Sequence, residues 1–122
     1  MRIYLAGAIE AAPDDGSTWR RDITQFLDSE FSIDVFDPSQ HEQDFLTKEE
    51  KDNFRQWKSV DTKRFRPVIK KIIDRDLEQL LEKCDAVICL WDEYVIQGGG
   101  THGELTLAYE HKLPVYLVLG MP

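Results

Sequence analysis

The run Gly98-Gly99-Gly100-Thr101-His102-Gly103-Glu104-Leu105 says more about the architecture of this chain than any other stretch of similar length. It follows an apolar segment, Ala86-Val87-Ile88-Cys89-Leu90-Trp91, and precedes a helical pattern from Leu105 to His111. Uninterrupted apolar residues bounded by polar ones read as a buried strand. Glycines after a strand let the backbone approach a ligand closely. A carboxylate at the start of the next helix, Glu104, then stands at the mouth of a parallel sheet, where α/β folds keep their sites. Thr101-x-x-Glu104 also fits a capping box, with Thr101 as N-cap and Glu104 reaching back to its amide. Both readings stay open on these residues alone. No Gly-Lys-Ser/Thr ending follows the glycines, which argues against a nucleoside-triphosphate P-loop.

Strands alternate with helices along the rest of the chain. Arg2 to Ala6 reads as the first strand, ending at Gly7-Ala8. Trp19, Ile23, Phe26 and Leu27 mark an amphipathic first helix with Ser17 as its expected N-cap. A second strand, Ile33 to Phe36, stops at Asp37-Pro38, and residues 39–66 form a polar excursion with one short helix near Lys48 to Lys58. Excursions of that length often build lids or pocket walls. A long helix is expected over Pro67 to Lys83, then the third strand, a helix from Thr101 to Lys112 and a fourth strand from Pro114 to Leu119. Asp76 lies four residues from both Ile72 and Leu80, within or beside the apolar stripe of the long helix. A carboxylate there must be paired, neutralised or functional.

This alternation predicts a three-layer α/β fold of flavodoxin-like or Rossmann-like kind, with a mainly four-stranded parallel sheet in the order 2-1-3-4. With 122 residues the chain is expected to form a single domain, 1–122. The segment Gly7 to Glu10, Asp92-Glu93 and the glycine loop should converge on the crevice between strands one and three. Acidic residues outnumber basic ones by 23 to 15, a net charge of −8. Such a chain repels polyanions, so a nucleic acid polymer is not an expected partner. Neither a signal peptide nor a membrane span is evident. Cys84 and Cys89 lack metal-ligand spacing, which points to a reduced, cytoplasmic protein.

Together, Ile3-Tyr4-Leu5-Ala6-Gly7-Ala8-Ile9, Asp76-Leu77, Cys84-Asp85-Ala86-Val87-Ile88, Gly100-Thr101-His102-Gly103-Glu104-Leu105 and Ala108 resemble the nucleoside 2-deoxyribosyltransferase family and its nucleotide N-glycosidase relatives. The resemblance covers about half the chain. It implies Glu104 as nucleophile, with Asp76 and Tyr4 as further catalytic residues. Gly7, Asp92, Gly100, Thr101 and His102 become substrate-binding candidates, Asp92 being the looser match. It further implies a nucleoside or nucleotide and a free nucleobase as partners, a preference for 2′-deoxyribose, no cofactor and a homo-oligomer. Two features depart from the family. Relatives commonly continue past the last strand, with a tail completing a neighbour's sugar site, whereas this sequence ends at Pro122; and residues 39–66 align with nothing in it.

The chemistry follows from the residue types. A carboxylate can attack the anomeric carbon and hold the sugar as an ester, and a helix N-terminus would favour the ionised form of Glu104. Tyr4 would orient it by a hydrogen bond, and Asp76 or Asp92 would protonate the departing base. Transfer to a second base, hydrolysis of a (deoxy)nucleoside 5′-monophosphate and a non-catalytic nucleotide-binding module are the three outcomes to separate. Phosphate donors for the second could be Ser17, Arg20 or Arg21, although Ser17 is equally an ordinary cap. His41-Glu42 lacks a second histidine at helical spacing, so no metal is expected. His102 reads more readily as an exposed loop residue than as a substrate contact. Lys63, Arg64, Arg66, Lys70, Lys71 and Arg75 read as a solvated basic face. Trp19 and Trp57 suit core or loop packing at least as well as stacking on a base.

Overall fold

The computed structural model describes residues 1–41 and 45–120. Its strands are β1 (Arg2–Ala6), β2 (Asp34–Phe36), β3 (Ala86–Trp91) and β4 (Val115–Leu119). Its helices are α1 (Ser17–Phe31), α2 (Pro38–His41), α3 (Lys48–Val60), α4 (Thr62–Glu78) and α5 (Gly100–Glu110). The sheet is parallel throughout, in the order β2-β1-β3-β4. The α/β class and the 2-1-3-4 order expected from the alternation are what the chain adopts. Register places Tyr4 beside Phe36 on one side and Val87 on the other.

Period-two alternation splits the apolar residues of β1 between two cores. Ile3 and Leu5 pack with Leu27 and Ala86 and with Trp19 and Ile23 of α1. Tyr4 and Ala6 pack on the opposite face with Leu80, Val87, Cys89 and Ala108. A third cluster of Leu46, Phe54, Val68 and Ile72 joins α3 to α4. Both cysteines are free and buried, and burial pushes each thiol up to about 11. No helix among the described residues is long and apolar enough to cross a membrane.

Several boundaries differ from the sequence reading. Gly16, not Ser17, is the N-cap of α1, in a left-handed conformation at φ 70°. A Cβ there would lie 2.2 Å from the Ala8 carbonyl oxygen, so only glycine fits. The capping carboxylate is supplied by Asp14, which accepts from the Gly16 and Thr18 amides at 2.9 and 3.0 Å. Ser17 donates its hydroxyl to the Asp14 carbonyl instead.

The polar excursion is more helical than expected, because it holds α2, all of α3 and the first turn of α4. A capping box does occur in the chain, at Thr47 and Glu50, with reciprocal bonds of 3.1 and 2.9 Å. Pro67 lies inside α4, which begins five residues earlier behind the Asp61 cap on Arg64. Proline is a good start signal, but it is tolerated here in the second turn, close to the uncommitted amides of a helix start. After Glu78 the helix widens into one π-helical turn, Gln79–Lys83, closed by the Cys84 amide on the Gln79 carbonyl at 2.9 Å.

The strand β4 forms the outer edge of the sheet. All five of its residues, Val115 to Leu119, are exposed although each is apolar.

Candidate active site

A cleft of about 690 Å³ opens beyond the C-terminal end of β1, within the range usual for small-molecule sites. Gly7 to Ala11 form its floor, α5 and its preceding glycines one wall, and α3 with α4 the other. Phe54, Ile69, Ile72 and Ile73 make that second wall apolar, with Arg55 and Lys58 at its rim. The long polar excursion therefore supplies a pocket wall.

Glu104 lines the cleft, and Tyr4 meets it from the buried side of the cleft wall. The Tyr4 hydroxyl donates to Glu104 Oε2, and Tyr4 is wholly buried on the central strand. Burial pushes the Glu104 carboxyl up from 4.5 to about 7, and the nearby Asp76 adds to the rise. The Tyr4 hydrogen bond and the Arg20 cation act in the opposite direction and do not prevail. Burial, then the Glu104 and Asp76 charges, raise the Tyr4 phenol well above its ordinary value, so it remains a donor.

Two expectations about this helix start need correction. The N-cap of α5 is Gly99, with no side-chain cap, and Thr101 is a buried residue inside the first turn. Glu104 is thus not half of a capping box, because Tyr4 holds its carboxyl in the cleft. It also lies beyond the first turn of α5, where the helix dipole has faded. Desolvation outweighs that dipole.

Asp76 also lines the cleft. Its Oδ1 accepts two bonds from Arg75, from Nε at 2.9 Å and Nη2 at 2.7 Å. Burial raises its pKa, with Arg75 and then Arg20 opposing the rise. Gly7, Gly100 and Thr101 line the same cleft. The structure thus brings together Tyr4, Gly7, Asp76, Gly100, Thr101 and Glu104.

Asp92 and His102 stand elsewhere. Asp92 lines a smaller cavity of about 290 Å³, with Asp14, Trp19 and Asp22. Its Oδ1 accepts from the Tyr94 and Val95 amides at 3.0 and 3.2 Å, which fixes the turn after β3. His102 is exposed, packs edge-on against Trp91 at 4.9 Å and bonds the Val95 carbonyl at 3.1 Å. Neither tryptophan singled out for stacking lines the larger cleft. Trp19 packs against Gly7, and Trp57 packs against the α3–α4 cluster. His41-Glu42 falls outside the described side chains.

Two arginines take roles other than those the sequence suggested, Arg20 as a phosphate donor and Arg75 as part of a basic face. Arg20 is wholly buried and spends its donors on the carbonyls of Leu5, Gly7, Ala8 and Gly16. It holds the β1–α1 loop in shape and has no donor left for a phosphate. Arg20 does line the cleft, whereas Ser17 and Arg21 do not. The signal for Arg20 was its place three residues before Ile23 and seven before Leu27, on the apolar face of α1. Arg75 is not part of a solvated basic face, because its guanidinium sits between the Phe36 and Phe45 rings at 5.3 and 5.0 Å. Lys70 and Lys71, by contrast, make ordinary exposed pairs with Asp74 and Glu50.

No protein-family model matches the chain, and no curated protein matches it. Among solved structures it is similar to a 2-deoxyribosyltransferase from the psychrotolerant bacterium Bacillus psychrosaccharolyticus. The two superimpose with a TM-score of 0.65 at 17% identity, over 99% of this chain and 74% of that one. The chain therefore shares the α/β fold of that 2-deoxyribosyltransferase.

Proposed function

We propose that the protein is an N-glycosyl transferase that moves 2-deoxyribose from one nucleobase to another. The observation that carries this reading is the Tyr4–Glu104 hydrogen bond, which holds Glu104 in the wall of a cleft that a second carboxyl, Asp76, also lines. The ionised Glu104 attacks the anomeric carbon, the bond from that carbon to the base nitrogen breaks, and Asp76 gives its proton to the departing base. The sugar is then held as a glutamyl ester. Asp76, now a carboxylate, takes a proton from the incoming base as that base attacks the same carbon and releases Glu104. Glu104 suits the nucleophile's task because its pKa of about 7 leaves much of it ionised near neutrality and a better nucleophile than an ordinary carboxylate. The apolar wall of Phe54 and Ile72 suits a flat base. The fold of the similar 2-deoxyribosyltransferase adds support. Of the two acids considered for the base, Asp76 is the one in the cleft.

A second reading, hydrolysis of a (deoxy)nucleoside 5′-monophosphate, draws on the glycine loop. Gly98 and Gly99 have φ of −127° and −99°, which any residue adopts, and a Cβ on Gly98, Gly99 or Gly100 would meet nothing within 4 Å. Neither backbone conformation nor packing explains Gly98 and Gly99, and close approach of a ligand to the uncapped start of α5 would. Incubation with a 2′-deoxynucleoside and a different free base, followed by chromatography, separates the two. A new deoxynucleoside supports transfer. Free sugar alone, or turnover only of the 5′-monophosphate, supports hydrolysis.

A further inference from the structure

The geometry points to Arg75 as a positioning residue that assigns the proton of Asp76 to a single oxygen, Oδ2. This inference rests on the reading of Asp76 as the proton donor to the base. Adjacent residues on a helix do not ordinarily face each other, yet Arg75 turns across its own helix and places Nε and Nη2 on the same atom, Asp76 Oδ1, at 2.9 and 2.7 Å. A carboxyl oxygen that accepts two charged N–H bonds has both lone pairs engaged. A proton arriving at Asp76 must therefore settle on Oδ2, which has no hydrogen-bond partner among the described residues and belongs to a side chain lining the cleft.

The guanidinium is itself held in place. Its Cζ lies 5.3 Å from the Phe36 ring and 5.0 Å from the Phe45 ring, and Nη2 also donates to the Pro38 carbonyl at 3.3 Å. A cation stacked on two rings loses little further freedom on making its hydrogen bonds. The charged and titratable groups around Asp76 are Arg75 on its own helix, Tyr4 from β1, Arg20 from α1 and Glu104 from α5. Arg20 is committed to backbone carbonyls and Glu104 is bonded to Tyr4. Arg75 alone among them touches the Asp76 carboxyl. It acts in two separable ways: its charge favours the ionised form, and its fork selects the oxygen.

Two variants separate charge from fork. Arg75→Met removes both, and Arg75→Lys keeps the cation without the fork. The readouts are the pH midpoint of the Asp76 carboxyl carbon by NMR, assigned by its loss in Asp76→Asn, and kcat and KM against pH. In Arg75→Met the midpoint should rise by about one pH unit, and the alkaline limb of kcat should rise with it. At its optimum, kcat should fall about tenfold or more, with KM changed less than threefold. Arg75→Lys should restore the midpoint but not kcat, and it carries the test alone if Arg75→Met does not fold. An Arg75→Met protein that is merely less stable, with midpoint and alkaline limb unmoved, would overturn the inference. Full kcat in Arg75→Lys would overturn the role of the fork. Undiminished turnover in Asp76→Asn would instead sink the reading of Asp76 as proton donor, and with it the assignment of a catalytic proton to Oδ2. The NMR midpoints would still decide whether Arg75 governs the carboxyl.

Discussion

Replacing Glu104 by glutamine should make the protein inactive and, above neutral pH, more stable. The Glu104 carboxyl stands at about 7 in the fold against 4.5 ordinarily. With its folded value above its unfolded one, the native state holds a proton that the unfolded state has released. Stability is therefore fully present below about pH 4.5 and drains away as pH rises through about 7. The gap of about 2.5 decades, at about 1.36 kcal/mol each, comes to about 3 kcal/mol at alkaline pH. Glutamine carries no charge and can still accept the Tyr4 hydrogen bond, so it escapes this penalty. Urea unfolding of both proteins at about pH 4 and about pH 8.5 should show the variant gaining about 3 kcal/mol relative to wild type between the two. A difference between the proteins that stays constant over this range would refute the argument that burial holds Glu104 at a raised pKa.

Other outcomes follow from the same geometry. Tyr4→Phe removes a hydrogen bond that holds Glu104 down, so the acid limb of kcat/KM, set by Glu104 ionisation, should move above about 7; an unmoved limb would show that Tyr4 does not act on Glu104. Asp76→Asn should lower kcat about 10²–10⁴-fold in transfer assays, and full activity would remove Asp76 from the chemistry. Rates on 2′-deoxyribonucleosides should exceed those on ribonucleosides, since a 2′-hydroxyl crowds Glu104 and disfavours positive charge at the anomeric carbon; equal rates would contradict this. The exposed apolar strand β4 is an unprotected sheet edge, so light scattering should report at least two chains per particle; a fully active single chain would contradict that expectation.

The sheet order was legible because it depends on long-range alternation of strand and helix, a signal many residues share. Local chemistry was harder to read. Thr101-x-x-Glu104 has the letters of a capping box, and so does Thr47-x-x-Glu50, yet only the second forms one. The difference lies in Tyr4, about a hundred positions away, whose hydroxyl claims Glu104. Pro67 misled for a related reason: the helix start is set by Asp61 and by packing of α3 on α4, and tertiary contact overrode a local start signal. Arg75 stood among lysines and arginines that do face solvent. Its place beside Asp76 was visible in the sequence, but the two rings that hold it come from other parts of the chain. Asp92 illustrates the reverse case. A carboxylate just past β3 is near the end of the sheet by topology, but its bonds to the Tyr94 and Val95 amides turn it toward the smaller cavity.

The central claim is that Glu104 carries the sugar. Mixing the protein with a 2′-deoxynucleoside, quenching in acid within the first turnovers and weighing the intact chain and its peptides tests this directly. Added mass equal to one deoxyribosyl group is expected on the peptide containing Glu104, absent in Glu104→Gln and lost when a free base is supplied before the quench. Turnover with no adduct at any quench time, or an adduct that persists in Glu104→Gln, would contradict it.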